Sequence, residues 1–148
     1  MSSVRDAVKR AITLVKFKDS DIPHDAEVSI KAQVVRSRFE GTNTVGPRSR
    51  VLYSSLGYGS YVANDSELLT TKVGRFCSIG PNVKMPTGIH PVSEFATTSP
   101  MFYSKAGVNE TSFVDEDLFS ERKYAEKPFS RVIGSDVWIG GGCTVLEG

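Results

Sequence analysis

Val73-Gly74-Arg75-Phe76-Cys77-Ser78 is followed at once by Ile79-Gly80-Pro81-Asn82-Val83-Lys84 and then by Met85. The same pattern returns as Ile133-Gly134-Ser135-Asp136-Val137-Trp138, Ile139-Gly140-Gly141-Gly142-Cys143-Thr144 and Val145. Each six-residue unit opens on an aliphatic residue, usually has glycine second, and has a small or β-branched residue fifth. A fainter copy starts at Phe39, Val45 and Val51, with Gly46 second and Ser49 and Ser55 fifth. A fixed short period of this kind marks a repeat architecture.

The spacing dictates a shape. Side chains of a strand alternate between faces, so position five of one unit and position one of the next point the same way. That shared face pairs one large aliphatic residue with one small residue, which suits a narrow interior. Glycine at position two is read as freeing φ for a corner. A short strand and a tight corner every six residues close into a triangular prism, three units to a coil. The fold class is therefore all-β, a parallel β-helix. A sandwich would need longer alternating runs joined by Asn-Gly hairpins, and none is found.

Outside the repeat, Val4, Ala7, Val8, Ala11, Ile12 and Val15 recur at helical spacing, and Ser3 with Asp6 forms an N-cap signature. A short helix is expected over residues 3–15, ended before Pro23. Residues 1–25 are read as a capping helix and linker, and residues 26–148 as the β-helix domain. A long loop at about 90–131, without hexads, interrupts that domain. Loops of this length inside a compact domain are usually functional.

Composition removes several function classes. Eighteen Lys plus Arg against seventeen Asp plus Glu give no field to gather nucleic acid or anionic membrane. No apolar run approaches the ~20 residues of a membrane span, and the N-terminus lacks the apolar core of a signal peptide. A soluble, cytoplasmic protein is expected. Cys77 and Cys143 share no metal-ligand spacing and fall at the same small-residue slot of the repeat, which suits small apolar fillers.

The core hexads, residues 73–84, resemble those of the xenobiotic acetyltransferase branch of hexapeptide-repeat acyltransferases, which includes streptogramin and type B chloramphenicol acetyltransferases and related cell-surface O-acetyltransferases. Gly88-Ile89-His90 is similar to the point where those enzymes carry a catalytic histidine at the start of a long loop. Thr98-Ser99-Pro100-Met101-Phe102 resembles a stretch of that loop, and residues 133–140 resemble the coil that restarts the helix. Gly57-Tyr58-Gly59-Ser60-Tyr61 resembles an aromatic segment lining the acceptor pocket. The resemblance covers roughly residues 45 to 148 and implies a left-handed helix, a homotrimer with sites between neighbours, and acetyl-CoA as co-substrate without a metal. Gly-Ile-His-Pro replaces the Asn-His form of the antibiotic-modifying enzymes, which shifts the expected acceptor from antibiotics to a sugar or related small alcohol.

The chemistry fits these residues. An acceptor hydroxyl is a poor nucleophile near neutrality, and an imidazole can take its proton as it attacks the thioester. His90, at the boundary between rigid coil and loop, is the candidate base, in a direct transfer without an acyl-enzyme. Trp138 lies between inward Val137 and Ile139, so alternation points it outward. With Gly140 and Gly141 it is the candidate contact for the pantetheine arm. Tyr58, Ser60, Tyr61, Ser99 and Tyr103 are candidate acceptor contacts. His24 has no motif around it and is read as a surface residue, and the charges at 121–127 are read as a solvated loop face.

Two other functions compete. A zinc enzyme resembling γ-class carbonic anhydrase needs three histidines on the scaffold, and this chain has two in all. A catalytically incomplete trimeric scaffold is the stronger alternative. The chain stops at Gly148, short of the further hexads that form much of the coenzyme A groove in members of the branch.

Overall fold

The structure, a computed structural model, describes residue 17 and residues 19–148. The helix expected over residues 3–15 lies outside these. The described chain is nearly all β, with a single 3₁₀ turn at Pro100–Phe102. In chain order the strands are β1 (Glu27–Val28), β2 (Gln33–Val35), β3 (Arg38–Phe39), β4 (Thr44–Val45), β5 (Arg50–Leu52), β6 (Ser55–Leu56), β7 (Tyr61–Val62), β8 (Glu67–Leu69), β9 (Thr71–Val73), β10 (Ser78–Ile79), β11 (Arg131–Ile133) and β12 (Trp138–Ile139). Successive strands enter three parallel sheets in rotation. The first face is β1-β4-β7-β10-β12, the second β2-β5-β8, and the third β3-β6-β9-β11. A chain that visits three sheets in turn and rejoins each one coil later is a parallel β-helix. Among the described residues, no helix is long and apolar enough to cross a membrane.

The coil is shorter than three whole hexads. Glu27 pairs with Thr44, Gln33 with Arg50 and Arg38 with Ser55, a constant step of 17 residues. Along the buried aliphatic series Val34, Phe39, Val45, Val51, Leu56, Val62, Leu68, Val73, Ile79 and Met85, one step per coil is five residues instead of six. Counting strict hexads from Val51 therefore slips by one. Ser54, not Ser55, faces the interior, because a one-residue shift reverses which face a side chain meets. The slip also hides the coil through Leu56, Val62, Leu68 and Val73 from a hexad count.

Corners are made differently from the expectation. Three columns of left-handed residues, one per corner, turn the chain. They are Arg36, Tyr53 and Thr70; Thr42, Gly59, Phe76 and Asp136; and Arg48, Asp65, Asn82 and Gly142, with φ between 45° and 75°. Most are not glycine. Each such backbone is held by the coil beneath, as where Phe76 N–H donates to Tyr58 O at 2.9 Å and Asn82 N–H to Asn64 O at 3.1 Å. The position-two glycines have no positive φ. At Gly46, Gly57, Gly74 and Gly80 the next coil stacks so closely that a Cβ has no room. A Cβ on Gly57 would lie 2.4 Å from Gly74 backbone, and one on Gly74 would lie 2.6 Å from Gly134 backbone.

The small interior residues carry hydrogen bonds as well as space. Ser66 Oγ accepts from Val83 N–H at 3.1 Å and donates to Gly80 O at 2.8 Å. Ser60 accepts from Cys77 N–H at 2.8 Å and donates to Gly74 O at 2.7 Å. Such hydroxyls satisfy corner amides that the sheet ladders leave over. Cys77 fills the next level of this column and is buried. Cys143 occupies an equivalent slot in the last described coil, where it is exposed.

The insertion enters at one corner. Below it the register step is 17 residues, and across it Thr71 pairs with Arg131, a step of 60, so the insertion adds 43. The chain departs after buried Met85 and returns through Ser130, whose hydroxyl lies 2.6 Å from that of Thr70. The insertion has its own small core, in which Phe95, Tyr103 and Phe119 meet edge-to-face with centroids 5.5 to 6.1 Å apart. Such aromatic pairs add about 0.5–1.5 kcal/mol each beyond area burial. Lys72 Nζ to Glu126 at 2.8 Å anchors its far limb to the third face.

Candidate functional site

The two limbs of the insertion meet where it leaves the prism. Ile89 N–H donates to Glu121 O at 2.9 Å, which fixes the backbone beside His90. His90 is exposed as a residue, but its ring is held from one side. Its Nδ1 lies 2.7 Å from the Tyr103 hydroxyl. Tyr103 is 0% exposed, clamped between Phe95 and Phe119, and ends the 3₁₀ turn with its N–H donating to Pro100 O. Burial pushes the Tyr103 phenol above its usual pKa, and the negative charge of Glu121 pushes it the same way. The group therefore keeps its proton. A buried, protonated tyrosine with a fixed ring is a rigid hydrogen-bonding post for an imidazole that reaches solvent.

The other sequence-predicted residues lie elsewhere. Ser60 faces the prism interior with its hydroxyl engaged at both ends, so the expectation of an acceptor contact is corrected: the five-residue step turns it inward. Tyr103 meets His90 from within the insertion core, so its buried ring supports the imidazole instead of lining a pocket. Ser99 is half-buried at the start of the 3₁₀ turn, where its carbonyl accepts from Phe102 N–H. Tyr58 and Tyr61 are partly exposed. Tyr58 packs edge-to-face on Phe76 at 6.1 Å, and Tyr61 lies on the first face in register with Ser78. Trp138 stands on the same column, one coil beyond Ser78, and is 80% exposed. Gly140 has room, since an added Cβ would meet only Cys143 Sγ at 4.0 Å. Glycine at 141 is explained by stacking, because a Cβ there would press on Pro81 at 3.1 Å. In one chain, then, His90 and Tyr103 are brought together at the corner between the second and third faces. Tyr58, Tyr61, Trp138 and Gly140 lie on the first face and its flanking corners.

Arg131 escaped the sequence reading. It is 2% exposed and sits in the interior column. A lone Arg where the hexads resume was the available signal. The charges of residues 121–127 are exposed, as expected of a solvated loop face. Arg122 Nε lies 3.2 Å from the buried Glu147 carboxylate as an ion pair.

A groove of about 1200 Å³ runs along the third face past Arg38, Ser55, Lys72, Phe129 and Val132 and includes neither His90 nor Tyr103. Within it Arg75 pairs with Glu40 at 2.7 Å. Volume alone does not make the groove a site. Among the described residues, no group of three His, Cys, Asp or Glu side chains could hold a metal ion. No protein-family model matches the chain, and no curated protein is significantly similar to it.

Proposed function

We propose that this chain is an acyltransferase in which His90 takes the proton of an acceptor hydroxyl as that oxygen attacks the thioester carbonyl of acetyl-CoA. The observation that carries the reading is a solvent-reaching imidazole at the root of the insertion, held at one nitrogen by buried Tyr103. That is the arrangement a general base needs: a ring fixed by rigid neighbours and an open edge for substrate. Among the described residues, no serine or cysteine is hydrogen-bonded to His90, which favours direct transfer over an acyl-enzyme. The proton passes to the imidazole as the C–O bond forms, the C–S bond then breaks, and the imidazolium returns the proton to the sulfur so that coenzyme A leaves as the thiol.

The acceptor is a sugar or a related small alcohol, and the antibiotic reading is the lesser one. Coenzyme A runs along Trp138 and Gly140, whose exposed faces lie away from His90 within one chain. The working unit is then a trimer, in which the exposed first face of one copy meets the insertion of the next. The separation of Trp138 from His90 also favours a second reading, a binding scaffold that never assembles both halves of a site.

Calorimetry with acetyl-CoA and a mass-spectrometric screen of acetyl transfer onto monosaccharides separate the two. Saturable binding with a product 42 Da heavier, the mass of an acetyl group replacing hydrogen, supports the transferase. Neither binding nor product would sink it and leave the scaffold. Light scattering reads the assembly, and a monomer would refute the trimer.

A further inference from the structure

We infer that Glu147 is a positioning residue for His90: its buried carboxylate holds residues 122 and 123 of the insertion, and through them the backbone that carries the histidine. The inference rests on the acyltransferase reading for its consequence and adds one residue to it.

The carboxylate is itself fixed in place. Two residues before it, Val145 packs against the core and its N–H donates to Lys84 O at 2.9 Å. One residue after it, Gly148 N–H donates to Ser130 O at 3.1 Å, where the insertion returns. The Glu147 side chain between these anchors is fully buried. A buried carboxylate is costly unless charge and hydrogen bonds compensate it, so its two oxygens dictate what must stand opposite. Oε2 accepts from Lys123 N–H at 3.1 Å. Oε1 has no hydrogen bond among the described residues and faces Arg122 Nε at 3.2 Å, whose charge offsets its own. One carboxylate thus engages two consecutive residues, one through its backbone and one through its guanidinium.

The residue before these two closes the circuit. Glu121 O accepts from Ile89 N–H at 2.9 Å, and His90 follows directly. The last described coil, Glu147, residues 121–123 and Ile89 therefore form a path that begins and ends where the insertion leaves the prism, between Lys84 and His90. Tyr103 holds the ring at Nδ1, and Glu147 holds the backbone that carries it. Glu147 acts on His90 through this path, so its part is placement. A base needs its nitrogen within hydrogen-bond reach of the acceptor proton, and a misplacement of about 1 Å can cost about 10²-fold in rate.

The test is amide hydrogen exchange on the full chain, read residue by residue, with turnover measured on the same samples. In Glu147→Ala the amides of Lys123 and Ile89 should exchange about 10–100-fold faster, the size expected from losing a hydrogen bond to a charged group, because the path opens as one unit. The bonded amides of Phe76 in the prism and Phe113 in the insertion lie off the path and should not change. Glu147→Gln keeps the volume and an oxygen for Lys123 N–H but loses the charge. It should show a smaller acceleration at the same two amides, and it decides the matter should Glu147→Ala not fold. In Glu147→Ala kcat should fall by up to about 10²-fold with the KM for acetyl-CoA unchanged. Faster exchange at Lys123 with Ile89 unchanged would overturn the inference. So would no acceleration in either variant, or equal acceleration at every amide, which marks a merely structural role. Wild-type kcat in Glu147→Ala while His90→Ala is inactive would overturn it as well. Full activity in His90→Ala beside joint acceleration of Lys123 and Ile89 would remove the transferase role and leave the path intact.

Discussion

Arg131 pairs in register with Thr71 across the insertion and places a guanidinium in the interior column that Ser37, Ser54 and Thr71 fill in the coils below. Its Nε donates to Val145 O at 2.8 Å, its Nη1 to Leu69 O at 3.1 Å, and its Nη2 to Pro86 O. One side chain thus joins the coil below the insertion, the point where the insertion departs, and the last described coil. Burial pulls Arg131 below the usual guanidinium pKa, while the Glu147 carboxylate opposes that pull. The root of the insertion, and with it His90, is fastened to the prism from inside.

Replacing Arg131 with Leu should therefore cost about 3–5 kcal/mol, the usual range when one partner of a buried charged group is removed. Chemical denaturation measures it. A loss under about 1 kcal/mol would mean that water replaces the guanidinium freely.

The glycine column gives a contrast within one ladder. Gly74→Ala should destabilise by about 1–3 kcal/mol or more, since its Cβ would sit 2.6 Å from the Gly134 carbonyl. Gly134→Ala has nothing within 4 Å and should be nearly neutral. Equal effects in thermal melts would contradict the stacking account of position-two glycine.

These glycines also show how far the sequence could be read. The aliphatic and glycine positions of residues 73–85 and 133–145 announced the β-helix, because period and chemistry agreed there. The 17-residue coil was hidden, since losing one residue per coil breaks a strict hexad count after Val51. Trp138 was legible as outward by alternation, and it is exposed. Ser60 was misplaced because the five-residue step from Val51 to Leu56 turns it inward. His90 was legible by its place at the edge of the loop. Its contact with Tyr103 was not, because the insertion carries no period and its contacts are set by tertiary packing.

Acid should weaken the fold through the corner charges. Asp65 is held below the ordinary carboxylate range by its hydrogen bonds to Arg48, Glu40 by that to Arg75, and Asp25 by that to Thr42. Each releases its proton more readily folded than unfolded. Their contribution is complete above the ordinary carboxylate pKa of about 4 and is lost as pH falls through the lower folded values. Thermal midpoints should hold from neutrality to about pH 5 and fall below about pH 4, less steeply in Asp65→Asn. Because these groups are exposed, added salt should shrink the effect. A midpoint unchanged down to pH 2 would contradict it.

The most direct test of the catalytic account is the turnover of His90→Ala on an acceptor that the wild-type chain acetylates, with acetyl-CoA binding measured on the same samples. The expected result is a loss of about 10²–10⁴-fold in turnover, the range of a general-base contribution, with binding essentially unchanged. Wild-type turnover in His90→Ala would contradict the account.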